Sequence, residues 1–151
     1  MLKKLLIVAA LSSTLAFTGC TTMQSSAQQA ENLALLQNKT WILTHIGTVE
    51  YKTDPTAHNV PSIQFDAATQ RVSGADGCNR VMGTYSVEGH QLNLSQLAGT
   101  RMMCQNTMEL ADKYNQALAK VAGYQVYAKT LRLLDRQGNP VLQYESTIQP
   151  R

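Results

Sequence analysis

The stretch Met82-Gly83-Thr84-Tyr85-Ser86-Val87-Glu88-Gly89-His90-Gln91-Leu92-Asn93-Leu94-Ser95-Gln96-Leu97 reads as two strands joined by a short turn. From Gln91 polar and apolar residues alternate, which places one face on a core and the other in solvent, and Gly89-His90 is a hairpin connection. Leu97 breaks that parity and is expected at the strand end. Strands joined so tightly are antiparallel, because a parallel pair needs a long crossover.

Upstream, Lys39-Thr40-Trp41-Ile42-Leu43-Thr44-His45-Ile46 is rich in β-branched and aromatic residues and reads as the first strand, with Trp41 as core anchor and Gly47 ending it. A loop with Asp54-Pro55 and His58-Asn59 leads to Pro61–Asp66, which alternates as a strand does. A turn over Asp66–Gln70 then gives a return strand from Arg71. Gly74, Gly77 and Gly83 mark an irregular passage where backbones approach closely. Downstream, Asn106-Thr107-Met108-Glu109 has the form of an N-cap with an acidic residue three positions on. Met108, Ala111, Tyr114, Leu118 and Val121 follow at helical spacing, and Gly123 stands where a C-terminal cap belongs. Three strands follow, Tyr124–Ala128, Thr130–Leu134 and Val141–Glu145. The pattern is about eight strands and one helix, a single α+β domain with a largely antiparallel sheet.

The N-terminus reads differently. Lys3 and Lys4 precede the apolar run Leu5–Phe17, and Gly19 precedes Cys20, the order of a bacterial lipoprotein signal peptide. The run, about 13 residues, is shorter than the roughly 20 that cross a bilayer. Residues 1–19 are therefore expected to be removed and Cys20 to carry lipid, with the outer membrane favoured because Thr21 rather than aspartate follows it. Residues 20–38, rich in Thr, Ser, Gln and Ala, suit a flexible tether in which Glu31–Leu36 can form a turn of helix. Residues 39–146 form the domain, facing the periplasm.

The full chain carries 13 Lys and Arg against 10 Asp and Glu, a net charge of +3. Lys3 and Lys4 leave with the signal, so the mature chain is near +1 and has no basic stripe. Nucleic acid is not an expected partner. With Cys20 assigned to lipid, Cys78 and Cys104 remain in a compartment where disulfides persist, and a bond between them is expected to contribute about 3–4 kcal/mol. Two separate buried thiols are the alternative.

Two segments, Gly77-Cys78-Asn79-Arg80-Val81-Met82-Gly83-Thr84-Tyr85 and Thr100-Arg101-Met102-Met103-Cys104, together resemble the META domain family. The resemblance extends over roughly Thr40–Glu145 and agrees with Trp41 opening the first strand. It implies a β-rich fold curved around one helix and a stress-related, heat-shock-like role in the envelope. It does not imply a reaction.

On the residues themselves, Cys78 and Cys104 can staple the glycine-rich loop to the helix, and Asn79 suits strained turn geometry. Arg80 and Arg101 can bridge loops through carbonyls or reach Asp76. As a pair, with Asn79, they can instead bind an anionic ligand, which predicts one pocket into which both guanidinium groups open. Met82, Met102, Met103 and Met108 are expected to fill core gaps, although thioether clusters also bind Cu(I). His45, His58 and His90 show no ligand spacing, and no nucleophile motif or paired carboxylates appear. No catalytic residue, metal or cofactor is expected. The expected partners are the membrane, through the lipid anchor, and an envelope protein or peptide, captured by strand addition to a sheet edge.

Overall fold

The computed structural model describes residues 25–53 and 59–146. Cys20, the signal segment and His58 lie outside them. The elements are α1 (Ser26–Leu36), β1 (Thr40–Ile46), β2 (Val49–Glu50), β3 (Ser62–Asp66), β4 (Arg71–Ala75), β5 (Arg80–Glu88), β6 (Gln91–Gly99), α2 (Met108–Leu118), β7 (Gly123–Tyr127), β8 (Thr130–Leu134) and β9 (Pro140–Ser146).

All pairings are antiparallel, and the nine strands run β2-β1-β3-β4-β5-β6-β7-β8-β9. A further pairing of β1 with β9, Trp41 opposite Ser146 through Ile46 opposite Leu142, closes the sheet on itself. The expected α+β, antiparallel, curved architecture is present. The additional strand is the short β2, which folds back beside the end of β1 with His45 opposite Glu50. Two residues are too few to show alternation.

Inward positions alternate with outward ones and converge on one core: Trp41 and Leu43 from β1, Phe65 from β3, Leu131 and Leu133 from β8, Leu142 and Tyr144 from β9. Helix α2 adds Ala111, Tyr114, Ala117 and Leu118. The Tyr114 hydroxyl donates to the Ser62 carbonyl at 3.2 Å and accepts from the Tyr144 hydroxyl at 3.0 Å, so the helix is tied to β3 and β9 from inside. Burial raises the pKa of both phenols, which act there as neutral hydrogen-bonding groups.

The helix departs from its expected ends. Asn106 adopts φ 69°, a left-handed conformation that asparagine tolerates, and the cap is Thr107 without a side-chain hydrogen bond. The last turn closes at Leu118 and Ala119, so Gly123 opens β7 instead of capping the helix.

Residues 20–38 are not a tether along their whole length. Ser25 caps α1, its side chain accepting from the Gln28 N–H, and the helix ends with Leu36 fully buried. The Trp41 indole N–H donates to the Leu36 carbonyl at 2.9 Å, the Asn38 N–H donates to the Phe65 carbonyl at 2.8 Å, and Gln37 Nε2 donates to the Tyr85 hydroxyl at 2.7 Å. The folded unit therefore includes the residues from Ser25 onward that the structure describes. Its polar composition hides this, because only the C-terminal part of the helix, Leu33, Leu35 and Leu36, packs on the core.

Gly74 sits opposite Ile63 in the β3–β4 pair. A Cβ there would run into the Ser62 carbonyl oxygen, so the position excludes every other residue type.

Candidate binding edge and the knot that supports it

The segment between β4 and β5 is built around a buried carboxylate. Asp76, 2% exposed, accepts from the N–H groups of Cys78 and Asn79 at 2.9 and 2.7 Å through one oxygen and from Asn115 Nδ2 of α2 at 2.7 Å through the other. Its own N–H donates to the Asn79 carbonyl at 3.0 Å, which completes a tight turn. Gly77 within it has φ 102°, and a Cβ there would press on Leu110 of α2.

The second family-like segment docks onto this turn. Asn79, 9% exposed, uses Oδ1 to accept from the Met102 N–H at 2.6 Å and the Thr100 hydroxyl at 3.2 Å. The Thr100 Oγ1 in turn accepts from the Arg80 N–H at 3.1 Å. Cys78 and Cys104 are joined by a disulfide with Cα atoms 5.8 Å apart, and Met108 Sδ lies 4.0 Å from Cys78 Sγ and accepts from the Cys104 N–H at 3.5 Å. Asn59 Nδ2 donates to the Cys78 carbonyl at 2.6 Å. The two segments thus form one hydrogen-bonded, disulfide-closed knot. Its polar groups face each other, which leaves little to offer a ligand.

The arginines do not converge. Arg80 lines a shallow depression over β4 and β5 beside Ser73 and Met82, whereas Arg101 lines a different one with Asn115 of α2 and Ala119 just after it. Of the residues expected to share one pocket, Asn79 and Arg101 line the same depression and Arg80 does not, because Arg80 lies in a strand and Arg101 in the loop leaving its neighbour, while the Asn79 side chain is committed to the knot. The methionines differ from expectation as well. Met82, Met102, Met103 and Met108 are 43, 48, 93 and 36% exposed, so they surround the knot from outside and do not fill the core. Among the described residues, no group of three or more His, Cys, Asp or Glu is placed to hold a metal ion.

The exposed feature that the knot positions is the outer edge of β6. This strand pairs with β5 along its length but with β7 only at Gln91 opposite Gly123. The Leu92 N–H donates to the Ala122 carbonyl, away from β5, so alternation turns the Leu94 N–H the same way. A bulge follows, with Gln96 at φ 54° and the β5–β6 register shifting between Met82 and Thr84. It accounts for the broken parity of Leu97: the extra residue returns that side chain toward Tyr114 and Leu118. Beyond it the Thr100 N–H donates to Arg80 on β5, so the N–H groups of Leu97 and Gly99 point outward. No strand among the described residues pairs with this edge. Between it and the C-terminal half of α2 lies a depression of about 340 Å³ lined by Leu97, Gly99, Arg101, Asn115, Leu118 and Ala119. Residues 95–103 are exposed, with apolar Leu97, Met102 and Met103 among them.

A curved antiparallel sheet closed on itself, with the apolar face of α2 packed on its core, opened at one seam and stapled beside it, defines the structural class. A family model described as META domain matches residues 34–147, and the chain belongs to the META domain family. No curated protein matches it. Among solved structures, a protein determined by NMR is similar at 26% identity with a TM-score of 0.60, over 74% of this chain and 92% of its own. A protein from Burkholderia xenovorans, also determined by NMR, is similar at 25% identity and a TM-score of 0.58, over 77% of this chain and 86% of its own. A DUF4847 family protein from Bacteroides vulgatus shares the fold at 17% identity, with a TM-score of 0.55, over 78% of this chain and 98% of its own.

Proposed function

We propose that this META domain is a non-enzymatic, stress-related binding module of the bacterial envelope, anchored to the outer membrane through lipid on Cys20, which holds extended segments of envelope proteins by strand addition along β6. One observation carries the binding mode: β6 continues to Gly99 although its pairing with β7 is confined to Gln91. An added strand finds outward N–H groups at Leu94, Leu97 and Gly99. It also finds apolar side chains at Leu97, Met102 and Met103 to take alternate residues of the guest. Methionine suits this task because its unbranched, polarisable side chain adapts to different guests. The bulge at Gln96 restrains the edge, which keeps it from pairing indiscriminately with other copies. The anchor rests on the residues before Cys20 and the stress role on the family.

Full-length protein is expected to slow the aggregation of a heat-unfolded envelope protein. Leu97→Lys, which puts a charge into the edge groove, is expected to abolish that effect, whereas Val49→Lys, at a 69% exposed apolar residue of β2, leaves it intact. Equal behaviour of the two variants contradicts edge binding. Cys20→Ser is expected to move the protein from the outer-membrane fraction to the soluble periplasm, and unchanged fractionation contradicts the anchor.

A further inference from the structure

A half-open cleft of about 790 Å³ lies elsewhere, between α1 and β7. That is within the range of small-ligand sites, roughly 300–1,000 Å³. Its chemistry is mixed. Leu35, Val126 and Leu134 give it apolar wall, Gln28, Asn32 and Gln125 give it side-chain amides, His90 gives it an imidazole, and no Asp, Glu, Lys or Arg lines it. The amides retain capacity: Gln28 Nε2 donates to Asn32 Oδ1 at 3.3 Å, which leaves the Gln28 oxygen and the Asn32 amino group available, while the side chain of Gln125 makes no hydrogen bond among the described residues.

Two aromatic residues distinguish this cleft from an ordinary surface depression. Tyr124 lines it and is 1% exposed, yet its hydroxyl is the one buried side-chain polar atom among the described residues without a hydrogen-bond partner. A buried hydroxyl left so costs roughly 1–3 kcal/mol unless something supplies the missing group. Tyr127, three residues on, is 64% exposed at the rim and offers a flat aromatic face.

We infer that the cleft between α1 and β7 is a binding site for a neutral saccharide bearing acetamido groups. The apolar C–H face of a sugar ring stacks on an aromatic ring such as Tyr127, its hydroxyl and amide groups match the side-chain amides, and an acetamido methyl suits the apolar wall. With no Lys or Arg in the lining, phosphorylated or anionic ligands would lose hydration with no permanent cation in return. The Tyr124 hydroxyl, which has no accessible surface in this structure, gains a partner from the ligand when its ring shifts toward the bound sugar. This site is separate from β6 and does not depend on strand addition.

Isothermal titration of the full chain in mild detergent with chitotriose, maltotriose and glucose 6-phosphate tests it. Chitotriose is expected to bind, with maltotriose weaker and glucose 6-phosphate silent. Tyr127→Ala is expected to weaken chitotriose binding by about tenfold. Tyr124→Phe is expected to weaken binding while leaving the melting temperature of the free protein unchanged or higher, since it removes an unsatisfied group. No heat with chitotriose, or binding undiminished in both variants, overturns the site. Equal affinity for maltotriose overturns the acetamido assignment.

Discussion

Replacing Asp76 by alanine is expected to destabilise the fold by about 3–5 kcal/mol. The carboxylate accepts two backbone N–H groups and the Asn115 amide while almost wholly buried. Alanine would leave those donors without partners and would also free the turn that carries Cys78 and Asn79. Asp76→Asn keeps an acceptor for the two N–H groups but sets an amino group against Asn115, so an intermediate loss is expected. Denaturant unfolding of both variants checks the order. Equal stability of Asp76→Ala and the parent would show that the carboxylate does not hold the turn.

The double variant Cys78→Ser, Cys104→Ser is expected to lose about 3–4 kcal/mol, from the entropy regained by the unfolded chain when the bridge across a separation of 26 residues is removed. The parent protein treated with reductant should unfold at the same denaturant concentration as the double variant. The bridge and the Asp76 turn share one knot, so their effects should not add: with the bridge absent, Asp76→Ala should cost less than it does in the parent. Simple additivity would mean that the two act on independent parts of the fold. Loosening the knot should also impair the β6 edge, because Thr100 and Met102 are held by Asn79 at the point where β6 ends.

Much of this was readable from residue order. The hairpin at Gly89-His90, the core role of Trp41 and the closing strands follow from local pattern, and each is present; of the two outcomes open for Cys78 and Cys104 once Cys20 is set aside, the disulfide is the one present. Other features depend on contacts between distant segments. Helix α1 looks like spacer because its stability comes from Leu36 and the Trp41 indole, not from amphipathic periodicity. The helix cap at Thr107 moved because Asn106 took the left-handed conformation. The methionines looked like core filler by residue type, yet they lie outside the disulfide. Arg80 and Arg101 are close to the two motif cysteines in sequence but open onto separate depressions.

The candidate edge was the least legible feature. Alternation in Gln91–Leu97 indicates a strand, but nothing in it reveals that the neighbour on one side is limited to Gln91 and Gly123. That outcome is set by the helix inserted between β6 and β7, which carries the chain away from the edge before it returns. The one local clue was the parity break at Leu97, whose cause is the bulge at Gln96.

Amide hydrogen exchange of the full-length protein, with and without an extended apolar peptide, tests the central claim most directly. Strand addition along β6 predicts new protection at the N–H groups of Leu94, Leu97 and Gly99, with little change at Gln91, whose neighbourhood is already paired with β7. Protection confined to other strands, or binding that leaves those three amides exchanging as before, would contradict it.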